Sequence, residues 1–124
     1  MSDLKELERR KFPRFNARIP LNLTIPGVEP EEVLNAASIN VSMNGIYCSV
    51  TRYVPLFDRI LVTFVSFEHD AVPAQIISQC EGIVVRVEPE HEEIARKEYH
   101  IALFFQHLSQ QQKAMIQAII RSHR

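Results

Sequence analysis

Strict alternation of apolar and polar residues constrains this chain more than any other feature. From Arg18 to Ile25, Ile19, Leu21, Leu23 and Ile25 fall on one side of an extended chain and Arg18, Pro20, Asn22 and Thr24 on the other. That period of two is the pattern of a strand buried on one face. Pro20 has no N–H to donate, which points to a sheet edge. A second strand is expected over about 33 to 43, burying Val33, Ala37, Ile39, Val41 and Met43 and turning Ser38, Asn40 and Ser42 outward. Asn44-Gly45 then suits the positive φ angles of a tight hairpin. Ile46, Cys48 and Val50 resume the inward pattern, so the two strands should pair antiparallel.

Residues 51 to 58 read as a connection, Arg59 to Phe67 as a third apolar strand, and Glu68 to Ala74 as a polar loop. Ile76 to Val87 makes a long strand, in which Gly82 suggests a bulge or sharp bend. Pro89 to Lys97 is an exposed loop by composition, and Tyr99, Ile101, Leu103 and Phe105 alternate in a last strand. The tail changes period. Ser109 is a suitable N-cap with Gln112 three residues on, and Met115, Ile116, Ile119 and Ile120 lie at helical spacing. Arg121, His123 and Arg124 suit the helix C-terminus. Six strands and a terminal helix, with no alternation of strands and helices, predict an all-β fold: a six-stranded antiparallel barrel whose open end the C-terminal α-helix covers.

With 124 residues the chain is expected to make one domain, residues 9–124, after a flexible lead-in over residues 1–8 in which Asp3 and Glu6 have capping-box spacing. A core of this size needs neither disulfide nor metal. Cys48 and Cys80 stand far apart in strand-like runs and read as buried free thiols. The five histidines show no metal spacing, and His91-Glu92-Glu93-Ile94-Ala95 lacks the second histidine of a zinc-protease helix. No phosphate-cradling glycine loop or nucleophile–base pair is evident, so neither an enzyme nor a resident cofactor is expected. No apolar run spans a bilayer and the N-terminus lacks the pattern of a secretory signal. The expectation is a cytoplasmic protein without membrane insertion.

Charge is unevenly spread. Through Arg18 there are six cations (Lys5, Arg9, Arg10, Lys11, Arg14, Arg18) against three acids (Asp3, Glu6, Glu8), a net +3 in a chain of net −1, which leaves −4 for the rest. Affinity for a long polyanion grows with the number of phosphates neutralised. An acidic body with a basic arm therefore argues against nucleic acid and for a small anion held at one place. Four cations lie between Arg9 and Arg14, and Phe12 and Phe15 flank Pro13-Arg14. Pro13 disfavours helix at Phe12, so in extended chain Arg10 and Arg14 share a side about 13 Å apart. Two guanidinium forks at that spacing suit a flat anion with separated acceptor edges. Taken alone, the cluster reads more simply as a solvated basic arm.

Asn40 and Ser42 would sit on one strand face roughly 6.5 Å apart. They form either ordinary outward polar positions or a shelf able to hydrogen-bond the edge of a base. Together with the arm they carry a further signal. Arg10-x-x-x-Arg14, twenty-five intervening residues, then Asn40-x-Ser42-x-x-Gly45 resembles the PilZ domain family, whose hallmark motifs are RxxxR and (D/N)xSxxG. The resemblance runs over roughly residues 8 to 122 and extends to Phe12-Pro13-Arg14-Phe15, Gly82-Ile83-Val84-Val85-Arg86 and Phe104-Phe105-Gln106-His107-Leu108-Ser109.

The resemblance implies a six-stranded barrel with a helix over one end, acting as a bacterial receptor for the second messenger cyclic di-GMP. By the same resemblance, Arg10 and Arg14 would hold phosphates and guanine Hoogsteen edges, Asn40 and Ser42 would bond a guanine, and Gly45 would keep the turn tight. Arg9 would add a phosphate contact, and Arg86 stands where some members stack a residue on the second guanine. Asn40 fills a position where aspartate is commoner, so it lacks the charge that would strengthen bonding to guanine N1 and N2. The implied function is a single-domain receptor or adaptor, its N-terminal arm ordered by ligand and its signal passed to an unidentified protein partner. The alternative is a ligand-independent adaptor of the same fold.

Overall fold

The computed structural model describes residues 14–27, 31–66 and 75–122, with the side chains of residue 66 and residues 75–78 left aside. The expected lead-in over residues 1–8, Arg9, Arg10, the loop over 68–74 and the last two residues lie outside the described residues.

Among the described residues, seven strands and one helix follow in order: β1 (Phe15–Asn16), β2 (Pro20–Ile25), β3 (Glu32–Val41), β4 (Gly45–Val50), β5 (Arg59–Ser66), β6 (Gln75–Glu88), β7 (Tyr99–Gln106) and α1 (Gln110–Ser122). All pairings are antiparallel, in the order β3-β2-β5-β6-β7-β4, and β4 pairs back onto β3 to close a six-stranded barrel. β1 runs ahead of β2 along the same side of β3, Phe15 opposite Val41 and Pro20 opposite Ala37. Pro20 therefore opens a strand flanked on both sides, by β3 and β5, and not an edge strand. A missing N–H is tolerated at a strand's first residue.

The break between β1 and β2 is closed by a side chain. Ser38 Oγ accepts the Ile19 N–H at 2.7 Å and donates to the Ala17 carbonyl, while the Ser38 N–H donates to the Ile19 carbonyl at 3.0 Å. Ser38 is therefore buried, not outward. The inward residues of β3 are Leu34, Ser38 and Val41, whereas Val33 is 54% and Ile39 37% exposed. The alternation read from sequence is out of phase over the first part of β3, because the pairing with β4 shifts register between Ser38 and Asn40. Such a bulge inserts one residue and resets which face follows.

In β2, β4 and β7 the alternation holds. Ile19, Leu21, Leu23 and Ile25, then Ile46, Cys48 and Val50, then Tyr99, Ile101, Leu103 and Phe105 all lie in the core. The bend suggested at Gly82 falls instead between Val84 and Arg86, where β6 shifts register against β7. Helix α1 starts with a reciprocal cap: the Gln112 N–H donates to Ser109 Oγ at 3.0 Å and the Ser109 N–H to Gln112 Oε1 at 2.7 Å. It lays Ile116, Ile119 and Ile120 into the core and binds β6 through Gln112 Nε2 and the Gln79 carbonyl, 2.8 Å. Cys48 and Cys80 are buried free thiols, each pushed up to about 12 by burial. No helix among the described residues is long and apolar enough to cross a membrane, and no group of His, Cys, Asp or Glu among them is placed to hold a metal ion.

Candidate functional site

Two bulges aim side chains at one patch of the barrel's outer surface. Inward positions on β3 run through Ser38, so without the extra residue before Asn40 that amide would point into the core. On β6 the inward series Cys80, Gly82, Val84 would likewise bring Arg86 inward, and the extra residue turns it out. An unpaired guanidinium inside the barrel would be strongly destabilising. Bulges of this kind recur beside binding sites, where they re-aim a side chain.

The register then sets these residues in a row. Asn40 lies opposite Tyr47, Tyr47 opposite Ala102, and Ala102 opposite Arg86. Three strand spacings separate Asn40 from Arg86, about 14 Å across the surface. Above the row opens a cleft of about 540 Å³ lined by Arg14, Asn40, Ser42, Gly45, Tyr47, Val85, Arg86, Glu88, Ala102 and Phe104, among others. That volume is in the range of small-molecule sites. Arg14, Asn40, Ser42, Gly45 and Arg86, singled out from sequence, meet here; Arg9 and Arg10 lie outside the described residues.

Gly45 is required for a reason other than the one expected. Its φ is not in the left-handed region, and the turn it closes is set by a 2.9 Å bond from the Ser42 N–H to its own carbonyl. A Cβ on Gly45, however, would stand 2.3 Å from the Leu103 carbonyl oxygen of β7. The glycine lets β4 and β7 close beneath the cleft. Ser42 is buried at the cleft wall, and its hydroxyl is committed to the turn, donating to Asn44 Oδ1 at 2.5 Å and accepting the Asn44 N–H at 3.3 Å. A hydroxyl oxygen has two acceptor sites, so one remains.

Sequence reasoning missed Tyr47 and Glu88. The Tyr47 hydroxyl donates to Glu88 Oε1 at 2.5 Å and stands 3.4 Å from His100 Nδ1, and the two rings meet edge to face with centroids 5.6 Å apart. Glu88 Oε2 accepts from Arg86 Nη2 at 3.1 Å. The Tyr47 bond foremost, with Arg86 behind it, holds the Glu88 carboxyl below the usual carboxylate range. Burial and then the bond to Glu88 raise the Tyr47 hydroxyl. A neutral phenol and an ionised carboxylate are thus held side by side, with guanidinium groups at two places on the rim. The usable signal was period two: Tyr47 is two residues past Gly45, and Glu88 two past Arg86. Phe104, on the cleft wall, is 46% exposed and offers apolar surface to a ring.

Comparison with known proteins agrees with the fold. The PilZ domain family model matches residues 8–122. The structure of the Bacillus subtilis inhibitor of motility (MotI/DgrA) is similar with a TM-score of 0.63 at 18% identity, over 92% of this chain and 51% of that one, so the chain spans about half the length of that protein. The PilZ domain of YcgR from Escherichia coli, solved with c-di-GMP, is similar with a TM-score of 0.61 at 13% identity, over 93% of this chain and 91% of that one. Among curated proteins none matches this chain in sequence.

Proposed function

The chain belongs to the PilZ domain family, and from that premise we propose that it is a cyclic di-GMP receptor that signals as an adaptor rather than an enzyme. The observation that carries the reading is the cleft, in which Arg14, Asn40, Ser42, Gly45 and Arg86 meet although they span most of the chain. The two family motifs ask for Arg14, Asn40, Ser42 and Gly45 at one site, and Arg86 stands where some members of the family stack a residue on the second base. The fold is shared with a domain solved with c-di-GMP.

In this reading Arg14 takes a phosphate or a guanine Hoogsteen edge as a bidentate fork. Asn40 and the remaining acceptor site of Ser42 bond a guanine, and Arg86 faces the second base. Arg10, four residues before Arg14, supplies a second fork and Arg9 a further phosphate contact. The ligand draws this basic arm onto the cleft, and the surface so formed contacts a partner protein. Its natural setting is the bacterial cytoplasm.

Calorimetric titration with cyclic di-GMP, beside GTP and the linear dinucleotide, tests the proposal. Binding of the cyclic ligand with clear preference over the other two is the expected result. No heat with the cyclic ligand overturns it and favours the ligand-independent adaptor.

A further inference from the structure

The cleft holds one aromatic ring in an unusual posture. Tyr47 springs from β4, yet its hydroxyl meets the carboxylate of Glu88 on β6, two strands away with β7 between. The ring is therefore stretched across β7 and held at both ends. Its neighbours on β7 are unequal: His100 packs edge to face against it, whereas the residue directly opposite is Ala102, whose single methyl leaves the adjoining space open. Beyond that space stands Arg86, held by the other oxygen of the same carboxylate. Bonds of 2.5 and 3.1 Å to the two oxygens of one carboxylate keep the phenol and guanidinium tips within about 8 Å of each other.

We infer that Tyr47 is a stacking platform for one purine ring of the ligand, that Glu88 is the positioning residue bracing it against Arg86, and that Ala102 provides the clearance. The inference rests on the receptor reading above and adds to it the residue that selects for a base. Stacking on an aromatic ring accepts any π-face. Discrimination for guanine then comes from the polar groups at Asn40 and Ser42, while Tyr47 distinguishes a nucleotide from a bare phosphodiester. Glu88 lies close to where an anionic ligand would bind, so its charge opposes binding; the bracing role requires that the geometry it enforces outweigh this repulsion.

The test is a calorimetric titration with cyclic di-GMP of wild type, Tyr47→Phe, Tyr47→Leu and Glu88→Ala, with the ultraviolet absorbance of the bases followed on binding. Tyr47 and Glu88 lie on the outer surface, so melting temperatures should stay close to wild type. Tyr47→Leu should weaken binding about ten- to a hundred-fold and abolish the fall in absorbance that accompanies stacking. Tyr47→Phe keeps the ring and loses the brace, and Glu88→Ala does the same from the other side; both should weaken binding only several-fold and retain the absorbance change. Wild-type affinity in Tyr47→Leu overturns the platform, and tighter binding by Glu88→Ala overturns the brace, each leaving the receptor reading intact. Absence of binding by wild type overturns both readings together.

Discussion

Gly45 and Leu103 approach so closely that a Cβ on the glycine would lie 2.3 Å from the leucine's carbonyl oxygen. The obstacle is backbone, and the same carbonyl belongs to the β4–β7 pairing that closes the barrel under the cleft. Neither partner can rotate away. Gly45→Ala should therefore force the two strands apart, costing about 1–3 kcal/mol as overpacking does. Urea denaturation followed by circular dichroism measures the loss. Under the receptor reading, ligand affinity should fall with it.

Ser38 replaces strand hydrogen bonds where β1 gives way to β2, accepting from Ile19 and donating to the Ala17 carbonyl inside the core. Ser38→Ala leaves both backbone groups without that partner in a site too buried for easy hydration. A loss of about 1–3 kcal/mol in denaturant unfolding is expected, the cost of a stranded buried polar group. Ser49→Ala, at a half-buried outer position of β4, should change stability by no more than about 0.5 kcal/mol.

Arg14 stands at the rim of the cleft, exposed, immediately before β1. Arg14→Ala should leave the melting temperature within a few degrees of wild type. It should weaken cyclic di-GMP by roughly ten- to a hundred-fold, the worth of one or two charge-assisted hydrogen bonds. Equal affinities in a calorimetric titration would take Arg14 out of the site.

Cys48 and Cys80 predict an alkaline limit to stability. Burial lifts both thiols to about 12 from an ordinary value near 9. Above pH 9 the unfolded chain releases these protons while the folded chain keeps them, so the unfolded state binds fewer protons and stability falls as pH rises. The contribution of the two neutral thiols is fully present below pH 9 and is lost progressively from there toward 12. The slope approaches about 1.4 kcal/mol per pH unit for each. Replacing both by alanine should lower stability near neutrality and flatten this alkaline slope. Native protein should also resist thiol-specific reagents near pH 8 and react at two sites once unfolded.

The core of β2, β4 and β7 and the terminal helix were legible from alternation and from the cap at Ser109, because a residue's face follows from its parity as long as the strand is regular. β3 was not. Parity points Val33, Ala37, Ile39, Val41 and Met43 inward; Val41 is buried, but the bulge before Asn40 puts Leu34 and Ser38 inside in place of Val33, Ala37 and Ile39. Nothing in a single sequence marks an inserted residue, since the bulge answers to the partner strand. Pro20 misled for a related reason. The absence of an N–H shows that one hydrogen bond is missing, and only the register shows that it is missing at the first residue of a flanked strand.

The linear order of residues determined which types of group this protein owns: two short motifs, period-two apolar runs, and a capped helix, all of them local properties of neighbouring residues. Tertiary structure alone decided which of those groups share a surface. Asn40, Tyr47, Ala102 and Arg86 line up because strands distant in the chain pair in one register, and Glu88 acquires its partners only across that sheet. Parity along a strand is written in the chain, but the offset between two strands is set by the packing of the whole barrel. A shift of one residue there exchanges the core for the cleft.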